Sequence, residues 1–547
     1  MKFLRLVLFI LAFAMGTERP VSALNISEAP AAILSIPGLN GLNISFWTAG
    51  FFSPLPSIGE VSSQRDRISG DSVRQAILGD YYQAKTALGF YHLILGHGYN
   101  VMHLESASYL ELARALISVR NSIQHRPERD NLEYKRKALV LLQTLADETL
   151  YSAYVKFRSA MGDVFVYTSS FGEVPCAYNP TNKPLVLGIF QICLGDIVLS
   201  EGGMPSSMVL SRVFDNPGPF SNTTVTYVDP SSKLKFPEAH FSTGVKIVDP
   251  NQEYLTRRKR RLAIYRFNNR QDNVRYLNVL EAAAKGAKEL VDQIRLIQGM
   301  RVLFPLPTYA STIDFDWSFL PTDPSRFFAA ELVYNTYDRI EGIRSEENPY
   351  FRDYWSSITN PAPVFDTGLF NLTSEKVPAP SDVEMNSNFD LIHYSLNLND
   401  YQTERMDEAI IDVLIGFVRV HEGYITDYLS KMKTLEATLS PRDLDWLQTL
   451  SLLSREQITG MAGANPRVIG LPQMLFLSYV DRRLIPYFRS LIVQQQNARW
   501  EQGASSFLNP HEMRMIVLEG IPAQLTKMVE HFDRKRWASS GDQRFPR

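Results

Sequence analysis

Short apolar runs bounded by turn-forming residues are concentrated in residues 163–267, and this change of pattern constrains the fold most. Runs such as Val164–Tyr167 and Leu262–Phe267 lie between clusters of Gly, Pro, Asn and Asp, which is typical of β-strands. The chain on either side carries apolar residues at three- and four-residue spacing, which is typical of amphipathic helices. The sequence therefore predicts a mainly α fold, with a large multi-helix body and a small α+β or β-rich insert around residues 163–270.

These patterns divide the chain into consecutive segments. The predicted segments are a signal peptide at 1–23, a Gly/Pro-rich N-terminal arm at 24–69, a helical region at 70–161, the α+β insert at 162–270, a second helical region at 271–358, a connector at 359–400 and a C-terminal helical region at 401–547. The clearest helical pattern is Val274–Gln298, where Glu281 and Lys285 form an ion pair four residues apart beside an apolar stripe. We expect the helices before and after the insert to pack together as one body.

The first residues have the three parts of a signal peptide. Lys2 and Arg5 form a basic start, Leu6–Ala14 is apolar, and Val21–Ala23 supplies small residues for cleavage. The apolar run is shorter than the roughly 20 residues that cross a bilayer as a helix. We expect a cleaved signal peptide and a secreted or periplasmic protein, with a short uncleaved anchor as the alternative.

The N-terminal arm has no charged residue between Ala29 and Gly59. Proline and glycine interrupt this stretch repeatedly, which excludes a long helix. We interpret it as an extended arm that lies across the body and packs aromatic residues such as Phe46 and Trp47 into a groove. A membrane-active or oligomerising segment is the alternative, because the arm carries much apolar surface.

The composition excludes several classes of protein. A hydrophobic content of 45% excludes global disorder. The 56 Lys and Arg residues are balanced by 58 Asp and Glu residues, so no basic excess points to nucleic acid. No later apolar run has the length of a transmembrane helix. The expected partner is a protein or polymer ligand outside the cytoplasm, with no nucleic acid and no stable transmembrane segment in the mature chain.

The chain has two cysteines, Cys176 and Cys193. In an exported protein they are expected to form a disulfide. A loop of this size stabilises a fold by about 3 kcal/mol in the chain-entropy model. Two buried free thiols are the alternative, and two thiols alone are too few for a structural zinc site.

Three of the nine histidines lie close together with a carboxylate: His92, His97, His103 and Glu105. Imidazole and carboxylate groups are ligands for zinc and also serve as acid–base pairs. Their spacing does not place the histidines on one helical face, and histidines that stabilise a helix C-terminus are the alternative. These residues are the candidate catalytic or metal site, but no motif identifies a cofactor.

Asp314 and Asp316 alternate with apolar residues and precede Trp317. In a strand, both carboxylates would lie on one face. Carboxylates beside an aromatic ring suit the binding of a cation or a sugar, so these three residues are the candidate binding site. A turn before the next helix is the alternative.

The helical pattern of Met406–Met432 has two faces. His421 lies on the apolar stripe, which predicts a histidine in the core. The charged residues on the other face are expected to be solvated: Arg405, Glu408, Asp412 and Arg419.

Five consecutive basic residues form the densest run of charge: Arg257, Arg258, Lys259, Arg260 and Arg261. We expect them to form an exposed loop. The alternative is a processing site, because the run contains the dibasic pattern that secretory-pathway convertases cleave.

These features favour a secreted or periplasmic binding or interaction protein. The chain lacks HExxH, GxSxG, P-loop and GxGxxG motifs. Because an active site needs no local motif, these absences do not decide whether the protein is an enzyme. One alternative is a secreted hydrolase, possibly metal-dependent, that acts on a cell-envelope or polymeric substrate through the histidine cluster or the aspartate pair. Another is a host-directed virulence factor that is processed at the polybasic run.

Overall fold

A computed structural model provides the fold of the chain. The described residues are 70–84, 106–125, 132–157, 162–169, 185–187, 190–201, 218–240, 244–250, 260–267, 273–303, 328–338, 356–357, 376–420, 484–502 and 512–521, together with a few single positions between them.

The described residues contain the following elements. The helices are α1 (Gly70–Gln83), α2 (Ser106–Gln124), α3 (Leu132–Lys156), α4 (Asn273–Leu303), α5 (Ala329–Asp338), α6 (Asp382–Met385), α7 (Leu398–Val420), α8 (Ile485–Glu501) and α9 (512–521). The strands are β1 (Val164–Thr168), β2 (Leu185–Leu187), β3 (Phe190–Ile192), β4 (Ile197–Ser200), β5 (Asn222–Val225), β6 (Tyr227–Val228), β7 (Leu234–His240), β8 (Gly244–Val248), β9 (Arg261–Phe267), β10 (Ser356–Ser357), β11 (Lys376–Val377) and β12 (Phe389–Asn397).

A five-stranded antiparallel sheet organises these elements. Its strand order is β1–β12–β9–β4–β5. Strand β9 pairs with β12 on one side and with β4 on the other, with Tyr265 opposite Ile197. All seven residues of β9 are buried, so this strand lies in the interior of the fold.

The two faces of the sheet pack against different layers. Ala263 and Tyr265 of β9 join a core with apolar residues of α1, α2 and α3. Leu262 and Ile264 point the opposite way, as alternate residues of a strand do, and pack with residues of β2, β3 and β7. The sheet is therefore enclosed between a helical layer and a layer rich in short strands.

The expected α+β insert around residues 163–270 is wrong. Helix accounts for 62% and strand for 22% of the described residues, so a mainly helical composition is roughly compatible, but no insert is evident. The reason is β12, which comes from residues 389–397 and pairs with both β1 and β9. Strands far apart in sequence thus form one sheet, which has a helical layer on one face.

Residues 376–400 of the expected connector also carry defined structure. They form β11, α6 and β12 and begin α7. Among the helices that the structure describes, none combines the length and apolar character needed to cross a membrane.

Candidate functional site

Most of the residues singled out from the sequence lie outside the described residues. They are His92, His97, His103, Glu105, Cys176, Arg257, Arg258, Lys259, Asp314, Asp316, Trp317 and His421. The proposals that depend on them therefore stay predictions.

Cys193 lies directly after β3 and is 1% exposed. No free cysteine is found in the described part of the chain, and the pairing of Cys193 with Cys176 stays a prediction.

The last two residues of the polybasic run are described, and they are not an exposed loop. Arg261 is the first residue of β9, and its side chain is 3% exposed. The side chain of Arg260 is 15% exposed. Antiparallel pairing of β9 with β12 draws this end of the run into the sheet, so the expected exposed loop ends before Arg261.

These two arginines lie among buried carboxylates, and we call this group the charged core. It consists of Asp147 on α3, Glu201 directly after β4, Arg260 and Arg261 at the start of β9, and Glu404, Asp407 and Glu408 on α7. Asp407 and Glu408 come three and four residues after Glu404, so both lie on the same side of α7 as Glu404.

Arg261 bridges two helices. Its Nε lies 3.0 Å from Oδ2 of Asp147 on α3. Its Nη1 lies 2.5 Å from Oε1 of Glu404 and 2.9 Å from Oε1 of Glu408, both on α7. The ring of Tyr401 lies 5.5 Å below the guanidinium carbon. One side chain therefore ties α3, β9 and α7 together.

Arg260 extends this network towards the surface. Its Nη1 donates to Oδ2 of Asp407 at 2.8 Å and lies 3.6 Å from Oε1 of Glu201. Arg489 of α8 binds the same Asp407 with two nitrogens, at 2.5 and 2.6 Å. The side chain of Arg489 is 30% exposed, so the charged core reaches solvent only through its outer members.

Burial shifts the pKa values of the inner carboxylic acids upward. Burial raises the pKa of Glu201 to about 7, although Arg261 and Arg260 oppose the shift. Burial raises the pKa of Asp147 to about 6, against the effects of Arg261 and of a hydrogen bond from Tyr394. The pKa of Glu404 is raised well above its usual value, because burial outweighs Arg261.

Glu201 and Glu404 are two buried acids that interact with each other. Nη1 of Arg261 lies 2.5 Å from Oε1 of Glu404, and Nη1 of Arg260 lies 3.6 Å from Oε1 of Glu201, which leaves each acid one oxygen for contact with the other. A hydrogen bond between the two side chains lowers the pKa of Glu201 and raises that of Glu404, so Glu404 holds the proton and donates it to Glu201. Interacting acids of this kind titrate as a pair.

The charged core binds protons and connects α3, β9 and α7, but its inner carboxylates are not accessible to a substrate. The side chains of Asp147, Glu201, Glu404 and Asp407 are 0% exposed. Among the described residues, no group of three or more His, Cys, Asp or Glu side chains is arranged to hold a metal ion. The arginines occupy the space between the carboxylates.

The sequence reasoning missed this group. Arg405, expected to be solvated, is 5% exposed and donates two hydrogen bonds to Glu148 of α3, at 2.7 and 2.8 Å. Glu408, also expected to be solvated, contacts Arg261 with a side chain that is 22% exposed. The spacing of the acids on α7 was visible in the sequence, but Arg260 and Arg261, which bind Asp407 and Glu408, each lie 147 residues before their partner.

Comparisons with known proteins add no identification. No protein-family model, curated protein or solved structure matches the chain.

Proposed function

We propose that this chain is an exported protein that binds a protein or polymer outside the cytoplasm. The observation that most supports this proposal is the enclosure of the charged core. Its inner acids have strongly shifted pKa values, which often mark active sites, yet they have no contact with solvent. These groups fasten α3, β9 and α7 together, which suits a rigid body that presents a binding surface.

The two alternatives stay predictions. The hydrolase alternative depends on the histidine cluster and the aspartate pair, which lie outside the described residues. Processing at the polybasic run would need an accessible backbone, and Arg261 lies in a paired and buried strand. The buried strand does not prevent cleavage within residues 257–259, so processing there stays a prediction.

Export is tested by expressing the full chain in a secretory host and sequencing the N-terminus of the released protein. We expect release into the medium or periplasm with Leu24 as the first residue, because small residues precede it. A chain that stays with the cells and begins at Met1 would contradict the proposal.

Binding is tested with the fluorescently labelled mature chain and isolated cell envelopes of the producing organism. We expect saturable binding, whereas labelled serum albumin, the control, does not saturate. Protease treatment of the envelopes distinguishes a protein ligand from a polymer ligand. Binding that stays linear and equal to that of albumin, before and after protease treatment, would overturn the proposal.

A further inference from the structure

A threonine and a histidine lie side by side at the edge of the five-stranded sheet. Thr168 ends the edge strand β1 and is directly opposite His393 of β12 in the register. Thr168 Oγ1 lies 3.0 Å from Nδ1 of His393. The other ring nitrogen, Nε2, lies 3.0 Å from the backbone oxygen of Gln191 in β3. Three separate elements therefore converge on the imidazole.

These partners determine which nitrogen carries the proton. A backbone carbonyl only accepts hydrogen bonds, so Nε2 of His393 must donate to Gln191. In a neutral imidazole, Nδ1 is then an acceptor, and the hydroxyl of Thr168 donates to it. This is the arrangement in which a base removes the proton of a hydroxyl nucleophile, with a third group orienting the base.

The local backbone and packing hold the histidine in this orientation. The pairing of β12 with β9 shifts register between Leu391 and His393, and such bulges re-aim the side chains beside them. The ring of Phe190 lies 4.8 Å from the imidazole, and His393 is 4% exposed. Thr168, by contrast, is exposed. The base is thus fixed in the interior, and the residue that carries its hydroxyl partner is exposed.

Electrostatics keep this imidazole neutral. Burial lowers the pKa of His393, and Arg266 lowers it further, whereas the hydrogen bond to Gln191 and the charge of Asp196 raise it. Asp196 and Arg266 form an ion pair with each other, at 2.8 Å, so their effects on the imidazole oppose one another. Near neutral pH, Nδ1 therefore keeps its lone pair.

We propose that Thr168 and His393 form a nucleophile–base pair that transfers an acyl group from an ester to water. Thr168 Oγ1 attacks the ester carbonyl carbon while its proton moves to Nδ1 of His393. The ester C–O bond then breaks, and the leaving alcohol takes that proton. A water molecule then attacks the acyl carbon while its proton moves to Nδ1. The bond between the acyl carbon and Oγ1 breaks, Oγ1 takes the proton from Nδ1, and the carboxylic acid leaves.

This inference goes beyond the proposed function, because binding to an envelope ligand needs no reactive hydroxyl. It also differs from the hydrolase alternative, which depends on the histidine cluster or the aspartate pair. Loss of the hydroxyl is expected to leave envelope binding unchanged, so the two proposals fail separately.

The experiment treats the mature chain with phenylmethylsulfonyl fluoride and, separately, with p-nitrophenyl acetate. The sulfonyl group becomes bonded to the Thr168 oxygen as fluoride leaves, and peptide mass spectrometry locates it. We expect one modified site, at Thr168. We expect His393→Gln, which keeps a donor for Gln191 but has no basic nitrogen, to slow labelling and ester hydrolysis by about 10²- to 10⁴-fold.

Matched variants separate chemistry from folding. Thr168→Val removes the exposed hydroxyl with little change of shape and is expected to abolish labelling at this position, whereas Thr168→Ser is expected to retain it. Ser231→Ala is the control, because Ser231 is also an exposed hydroxyl but donates to the carboxylate of Asp229, at 2.7 Å. We expect this variant to react like the unmodified chain.

Circular dichroism confirms that each variant is folded. If His393→Gln unfolds, the comparison of Thr168→Val with Thr168→Ser decides the matter. An unlabelled Thr168, or ester hydrolysis that Thr168→Val leaves unchanged, would overturn the inference. Labelling of a folded His393→Gln variant at the original rate would do the same.

Discussion

Glu201→Gln is expected to stabilise the protein near neutral pH, although it removes a buried charged residue. Glutamine resembles the protonated acid, and its side-chain oxygen still accepts the hydrogen bond from Glu404. The pKa of Glu201 is about 7 in the folded chain, against an ordinary value of 4.5. Unfolding therefore releases about half a proton at pH 7, so a rise in pH up to this value favours the unfolded state.

Linkage between proton binding and folding determines the size and the sign of this change in the free energy of unfolding. Below pH 4.5, Glu201 is protonated in both states and contributes no difference. As the pH rises towards 7, the unfolded chain gives up the proton and the folded chain keeps it, so stability falls. Each pH unit between the two pKa values lowers the free energy of unfolding by about 1.4 kcal/mol, which gives about 3 kcal/mol in full.

The assay is urea unfolding followed by circular dichroism at pH 4.5 and at pH 7.5. We expect Glu201→Gln to match the unmodified chain at the lower pH and to exceed its stability by about 3 kcal/mol at the higher pH. Glu133→Gln is the control, because Glu133 is 78% exposed in a helical pair with Lys137, and it is expected to change stability by less than about 0.5 kcal/mol. Destabilisation by Glu201→Gln at pH 7.5 would refute the reasoning, since it would show an ionised Glu201 paired with Arg260.

Three further variants test the packing at two glycines and one buried ion pair. Gly286→Ala places a Cβ 2.5 Å from the backbone oxygen of Thr336 and is expected to cost about 1–3 kcal/mol in urea unfolding; Gly79→Ala, which meets no atom within 4 Å, is expected to stabilise by up to about 1 kcal/mol. Arg266→Met leaves buried Asp196 without its guanidinium and is expected to cost about 3–5 kcal/mol in thermal unfolding. Equal effects of the two glycine variants, or a loss below about 1 kcal/mol for Arg266→Met, would contradict these expectations.

Local patterns in the sequence located many elements but not their pairing. The helical spacing over residues 70–161 coincides with α1, α2 and α3, and the apolar runs Val164–Tyr167 and Leu262–Phe267 coincide with β1 and β9. Strand β12 was missed because it lies in a stretch rich in Pro, Asn and Ser. Its own residues, Phe389–Asn397, are mostly buried, but which strands it pairs with depends on contacts distant in sequence.

The charged core was missed for a related reason. A run of five basic residues is typical of a solvated loop, and charged residues opposite an apolar stripe are typical of a solvated helix face. Each of these two patterns describes a single segment and contains no information about contacts between distant segments. Charged groups can be buried when they are paired with an opposite charge. Arg261 and Glu404 form such an ion pair in the interior.

The composition of the charged core leads independently to coupling between folding and pH. The charged core has five carboxylates, Asp147, Glu201, Glu404, Asp407 and Glu408, and two arginines. Arg489 of α8 adds a third positive charge beside it, which leaves two carboxylates in excess. An uncompensated charge in the interior is costly, so the excess is neutralised by protons. Protonation of Glu404 removes one of these charges, and Glu201, whose pKa is about 7, removes the other as the pH falls below 7. The charged core therefore makes the folded state more stable in mild acid than in mild alkali.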